Sequence, residues 1–184
     1  MDVAQWLEFQ IVDLAVAGSN PVIHPLLIIL SMTIALCGST NFYDAMDALQ
    51  EGLEEKGFEV FHPRYTAGEL DESIKDLHKN ESHKSDMSIE GRESKHKLII
   101  SHLKAIEKAD AILVVNLEKG GNANYIGGNT FLEMGFALAL GKQIYVWNEL
   151  PKYSAYYDEL TGMLPIILNQ SLEKVTSKNY ENTR

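Results

Sequence analysis

Short apolar runs alternate along this chain with stretches whose apolar positions recur every three or four residues. Thr33-Ile34-Ala35-Leu36-Cys37 is a strand-like run that ends in the turn residues Gly38-Ser39-Thr40-Asn41. Tyr43 to Lys56 carries Met46, Leu49 and Leu53 at helical spacing, and Gly57 stops it. Phe58 to Phe61 reads as a second strand, closed by His62-Pro63. Lys97 to Lys108 predicts a helix with Leu98, Ile99, Leu103 and Ile106 inward. Ala111 to Val115 is continuously apolar, as strands covered on both faces are. Leu117 to Tyr125 is a loop, Thr130 to Leu140 a helix stopped by Gly141-Lys142, and Gln143 to Trp147 a strand. Leu164 to Leu168 predicts a last strand and Leu172 to Val175 a short helical end.

Strands alternating with helices predict an α/β fold. The expected form is a flavodoxin-like or Rossmann-like open parallel sheet of about five strands, with helices on both faces. Residues 32–184 would form one domain, interrupted at about 64–93 by a charged stretch nearly free of apolar periodicity, read as a mobile surface excursion or lid with room for a short helix.

The first thirty residues break the pattern. Asp2, Glu8 and Asp13 precede the apolar stretch, so the basic n-region expected of a signal peptide is not seen before it, and the stretch is too short to be expected to span a bilayer. Val3-Ala4-Gln5-Trp6-Leu7-Glu8 fits codons of a tRNA D-arm and Gly18-Ser19-Asn20-Pro21 those of a T-arm. Codons for Met1-Asp2-Val3 and Val22-Ile23-His24 can pair as an acceptor stem. The expectation is a non-native extension over residues 1–31, translated from an upstream tRNA gene, with the native start at Met32. The alternative is a genuine N-terminal helix.

Ligands of open parallel sheets lie beyond the C-terminal strand ends, where the strand order reverses. Loops starting at Gly38, Asn116 and Asn148 leave such ends, and in a flavodoxin-like order the first two would face one crevice. Gly38-Ser39-Thr40-Asn41-Phe42-Tyr43 is neither a Walker A loop nor GxGxxG; it is either a capped turn or a ligand loop. The stretch Gly127-Gly128-Asn129-Thr130-Phe131-Leu132-Glu133 opens a helix. Its glycines would let backbone N–H groups approach a phosphate, hydroxyl or sugar oxygen, and the helix start would favour an ionised Glu133. The plain alternative has Asn129 or Thr130 as helix cap and Glu133 as an ordinary helix-start acid. The candidate substrate-binding residues are Gly38, Ser39, Thr40, Asn41, Phe42, Asn116, Gly127, Gly128, Asn129 and Thr130.

The formal net charge of −10 argues against nucleic acid polymers and anionic membranes, which demand a basic surface. Cys37 is the sole cysteine, which excludes an intramolecular disulfide, disfavours a thiolate cluster and suggests a buried inert thiol. His78, His83 and His96 show no compact metal-ligand spacing, and no metal site is expected. His62 and His102 are either packing histidines or, for His102, a polar group in the crevice. Asp110 suits a turn before its strand. Trp147, Tyr153, Tyr156 and Tyr157 either pack or wall a nucleobase site.

Three strings carry a resemblance: Ile34-Ala35-Leu36-Cys37-Gly38-Ser39, Ala109-Asp110-Ala111-Ile112-Leu113-Val114, and Glu133-Met134-Gly135-Phe136-Ala137-Leu138-Ala139-Leu140-Gly141-Lys142. Together they resemble the nucleoside 2-deoxyribosyltransferase superfamily, which includes the deoxynucleoside-monophosphate N-glycosidases. The resemblance runs from Met32 to about Leu168. It implies a flavodoxin-like fold, a homo-oligomer with sites near subunit interfaces, and a glutamate, matched by Glu133, that attacks the anomeric carbon of a 2-deoxyribosyl group. It also implies that Gly38-Ser39 lies against the sugar-phosphate and that Gly127-Gly128-Asn129 lies beside the nucleophile. Two positions depart from the monophosphate enzymes: Ala35 stands where they carry a tyrosine and His102 where they carry an aspartate. Tyr43 or His102 would have to substitute as the acid on the leaving base.

The expected activity is N-glycosidic cleavage or 2-deoxyribosyl transfer on a nucleoside or its 5′-monophosphate, with no metal or redox cofactor, in a cytoplasmic homo-oligomer. The alternative is a module that holds a nucleotide in the same crevice without turnover.

Overall fold

The computed structural model describes residues 31–64 and 89–176. Residues 1–30 of the expected 1–31 extension, with its tRNA reading, and most of the charged excursion, with His78 and His83, lie outside the described residues. Strand β1 is Thr33–Gly38, β2 Glu59–Phe61, β3 Ala111–Val115, β4 Gln143–Val146 and β5 Ile166–Ile167. They pair in parallel in the order β2-β1-β3-β4-β5. This is the flavodoxin-like order, and the chain reverses its winding between β1 and β3.

Alternation along the strands divides the core between two faces. Ile34, Leu36, Leu113, Val115 and Tyr145 pack on one face with Met46, Leu49 and Leu53 of α1, Tyr43–Glu55. Ala35, Cys37, Ile112, Val114, Ile144 and Val146 point the other way. There they meet Ile106 of α2, Ile89–Lys108, Met134 and Ala137 of α3, Gly128–Ala139, and Leu160 of α4, Tyr157–Gly162. A fully buried aliphatic side chain of this kind stabilises the fold by roughly 1.5–3 kcal/mol.

Local signals set the ends of α1 and α3. Gly57, at φ +86°, follows α1; its N–H bonds Glu54 and the Phe58 N–H bonds Leu53, closing a Schellman motif. Gly141, at φ +66°, does the same for α3: its N–H bonds Leu138, and the Lys142 N–H bonds Ala137. The Lys142 ammonium then donates to the carbonyls of Glu107 and Ala109 at the end of α2. Asp110 is a clamp: its carboxylate accepts the Thr33 N–H at 2.8 Å while its own N–H bonds the Thr33 carbonyl at 2.8 Å, tying the starts of β1 and β3.

Several element boundaries differ from expectation. The helix expected from Lys97 begins at Ile89, within the span expected to be an excursion. Its first turns, with Arg92, Glu93 and Lys95, carry almost no apolar stripe, so periodicity could not find them. Helix α3 begins two residues before Thr130, with Gly127 as cap and no side-chain capping bond, so neither Asn129 nor Thr130 is its cap. The last strand is only Ile166–Ile167, and α4 is an element that the pattern did not predict. Among the described residues no helix is long and apolar enough to cross a membrane.

Candidate active site

Three side chains from three elements converge where the strand order reverses. Cys37 is the last side chain before Gly38 at the C-terminal end of β1, and alternation aims it at the α2–α3 layer. His102 sits one turn before buried Ile106 on α2, and Glu133 one turn before buried Ala137 on α3. Residues four apart share a helix face, so both point toward the sheet. The Cys37 sulfur lies 3.6 Å from His102 Nε2, which lies 3.7 Å from Glu133 Oε1. Cys37 is fully buried, whereas the His102 and Glu133 side chains retain 11% and 14% of their surface. Glu133 Oε2 is buried without a hydrogen-bond partner.

Burial dominates the electrostatics. It pushes the Glu133 carboxyl up from 4.5 to about 8, against the smaller opposing effects of the Cys37 thiol as donor and the Lys95 charge. The expected ionising effect of the helix start does not win. Glu133 is in the second turn, and the field of a helix end fades within the first. Burial likewise raises Cys37 well above the usual thiol range, and the Glu133 charge adds to the rise. Tyr43, at the start of α1, is pushed up to about 12 by burial; Arg64 opposes this and Glu133 reinforces it. The Arg64 guanidinium carbon stands 4.8 Å from the Tyr43 ring centroid. Tyr43 therefore feels the Glu133 charge although its aromatic ring belongs to the opposite core layer.

The loop after β1 has a structural side and an open side. A Cβ on Gly38 would stand 2.8 Å from the Val115 carbonyl oxygen and 2.7 Å from the Met46 methyl, so only glycine lets β1 and β3 run on together here. Ser39 caps the short 3-10 turn Thr40–Phe42, accepting the Asn41 N–H at 3.3 Å, and its oxygen also accepts from the Lys119 ammonium at 2.8 Å. Thr40 and Asn41 are exposed, while Phe42 is buried in the core.

Asn116 is fully buried, and its side chain is consumed by the next loop. Its amide donates to the carbonyls of Asn148 and Glu149, and its oxygen accepts the Asn148 N–H at 2.8 Å. It shapes the crevice floor rather than meeting solvent. At the α3 start, Gly128 and Asn129 are exposed and Thr130 is buried. A Cβ on Gly128 would meet nothing within 4 Å, so packing does not demand a glycine there.

The remaining candidates separate. His62 Nε2 lies 3.2 Å from an Asp47 oxygen and His62 Nδ1 accepts the Arg64 N–H, which makes it a packing residue beside Tyr43. Tyr156 stacks on Phe131 at 4.6 Å, so one of the four aromatic candidates reaches the α3 start. Two residues of the site carry no periodic signal. Cys37 has the pattern of an inert core thiol, although its place at a C-terminal strand end is a signal. Lys119 lies in the loop leaving β3, where it supplies a cation 4.9 Å from the Tyr125 ring centroid and bound to Ser39.

At the level of sequence no described family and no characterised protein matches this chain. At the level of fold it is similar to the 2-deoxyribosyltransferase of Bacillus psychrosaccharolyticus. That likeness covers 80% of this chain and 95% of that one at TM-score 0.53 and 16% identity. A weaker likeness, TM-score 0.40 at 18% identity over 73% of this chain and 84% of that one, is to the Clostridium botulinum CMP N-glycosidase BcmB.

Proposed function

We propose that this chain cleaves or transfers an N-glycosidic bond of a nucleoside or nucleoside 5′-monophosphate, with Glu133 as nucleophile. One observation carries the proposal: a mostly buried carboxyl with an unpartnered oxygen stands at the strand-order reversal, beside a histidine and on a helix whose start has no side-chain cap. The fold-level likeness to a 2-deoxyribosyltransferase supports the same class of reaction.

The chemistry follows from the proton inventory. At neutral pH the Glu133 carboxyl holds its proton, because burial lifts it to about 8. His102 Nε2, 3.7 Å away, accepts that proton, leaving a carboxylate beside an imidazolium. The freed carboxylate attacks the anomeric carbon, and the C1′–N bond pair leaves with the base. The His102 imidazolium then protonates the base, the role left open by the family aspartate that His102 replaces. Water or a second base resolves the glycosyl ester. Lys119, whose ammonium bonds Ser39, is the donor assigned here to a 5′-phosphate. Exposed Ile100 and Leu132, on the adjacent α2 and α3, supply apolar surface for the homo-oligomer that belongs to this proposal.

The test is free-base release from a panel of deoxynucleosides and their 5′-monophosphates. Glu133→Ala is expected to abolish release while the protein remains folded, and release that survives this substitution removes the mechanism. A second reading, nucleotide binding without turnover, is favoured by the neutral state of Glu133 at pH 7. Tight binding with no release by the unmutated protein would decide for it.

A further inference from the structure

The sole thiol, one imidazole and the candidate nucleophile are arranged as a metal site is. Cys37 Sγ, His102 Nε2 and a Glu133 carboxylate oxygen all lie within 4.8 Å of one another. Zinc holds thiolate sulfur at about 2.3 Å and imidazole nitrogen or carboxylate oxygen at about 2.0–2.2 Å; in a tetrahedron this sets sulfur and nitrogen about 3.5 Å apart and nitrogen and oxygen about 3.4 Å apart. The sulfur–nitrogen and nitrogen–oxygen distances here, 3.6 Å and 3.7 Å, match to a few tenths of an ångström; the sulfur and the carboxylate oxygen, within 4.8 Å of each other, must close by up to about 1 Å to reach the roughly 3.6 Å of a tetrahedral site.

A second, independent observation points to a ligand. Glu133 Oε2 is buried with no hydrogen-bond partner, and a buried polar atom left so is costly. The donor set is also selective: one soft thiolate with one imidazole and one carboxylate suits zinc-class ions, whereas all-oxygen sets suit magnesium and calcium. Three protein donors leave a fourth vertex open. The exposed edges of His102 and Glu133 give that vertex a path to solvent.

We propose that Cys37, His102 and Glu133 bind one thiophilic divalent cation of the zinc class. The cation displaces the thiol proton and any proton on the carboxyl, which leave to solvent, and its two positive charges match the thiolate and the carboxylate so formed. If Glu133 is the glycosidic nucleophile, the bound cation occupies the attacking oxygen and holds the enzyme silent; this consequence alone rests on the proposed function.

The experiment needs no substrate. The chelator-stripped full chain is titrated with Co²⁺, followed by displacement with Zn²⁺ and by competition against a chromophoric chelator. One equivalent of Co²⁺ is expected to give the near-ultraviolet sulfur-to-cobalt charge-transfer band, and Zn²⁺ to erase it. Cys37→Ser should abolish the band. His102→Gln and Cys37→Ser should each weaken Zn²⁺ binding by about 100-fold or more, beyond what loss of an outer partner costs. His102→Gln keeps a polar side chain of similar length in a position that is not fully buried, so it keeps the test valid if Cys37→Ser does not fold by circular dichroism. No charge-transfer band with the unmutated protein overturns the site. So does Zn²⁺ affinity unchanged in His102→Gln, because the cation would then sit on other histidines, such as His78 or His83. Base release by the metal-free protein is measured separately, so failure of the glycosidic proposal leaves this one standing, and the reverse.

Discussion

Replacing Glu133 with glutamine should stabilise the folded chain, and increasingly so as pH rises. The carboxyl titrates at about 8 in the fold against 4.5 for a free side chain, a difference of about 3.5 pH units. A raised folded value means that the stability the protonated group confers is complete below the unfolded value and is lost as pH climbs through the folded one. At about 1.36 kcal/mol per unit, the loss reaches roughly 3 kcal/mol near pH 7 and roughly 5 kcal/mol near pH 9. Against a total of about 5–15 kcal/mol for a domain this is a large fraction. Glutamine keeps a neutral side chain of the same shape at every pH and escapes the loss. Urea denaturation of both proteins at about pH 5, 7 and 9, read as midpoint times slope, gives the difference directly. The expected gap is small near pH 5 and widens to several kcal/mol near pH 9. A gap that stays constant across that range would refute the claim that burial governs this carboxyl.

Other outcomes follow from the same geometry. The rate of base release at low substrate should hold up to about 8 and fall above it, because the Glu133–His102 pair then loses the one proton that the leaving base needs; a rate that keeps rising through about 8 would contradict that proton route. Cys37→Ala removes the donor that opposes the carboxyl's rise, so the midpoint of that profile should move up, a shift that mere loss of packing would not produce. Gly38→Ala forces a methyl into the Val115 carbonyl and should cost about 1–3 kcal/mol in chemical denaturation. Asp110→Ala frees the Thr33 N–H and should cost about 1.5–3 kcal/mol, with no change in the pH profile of release.

The sheet was legible because its strands are short, apolar and bounded by glycine, as Ala111 to Val115 and Gly141 illustrate. The first turns of α2 were not, since Arg92, Glu93 and Lys95 are exposed and leave no apolar stripe for periodicity to register. The string from Glu133 to Lys142 signalled a site, yet its last two residues serve the fold, because Gly141 ends α3 and Lys142 ties it to α2. What the sequence could not display was distance across the sheet. Cys37, His102 and Glu133 are far apart in the chain, and only the β1–β3 reversal brings them within 4.8 Å. Nor could it display desolvation, which turned an acid expected to be ionised into one that keeps its proton at neutral pH.

Covalent capture of the sugar by Glu133 is the central claim. The direct measurement is mass spectrometry of peptides from an acid-quenched single turnover with a deoxynucleoside or its 5′-monophosphate. A 2-deoxyribosyl adduct on the peptide containing Glu133, absent from Glu133→Gln, is the expected result. Base release proceeding at the unmutated rate in Glu133→Gln, with no adduct on that peptide, would contradict it.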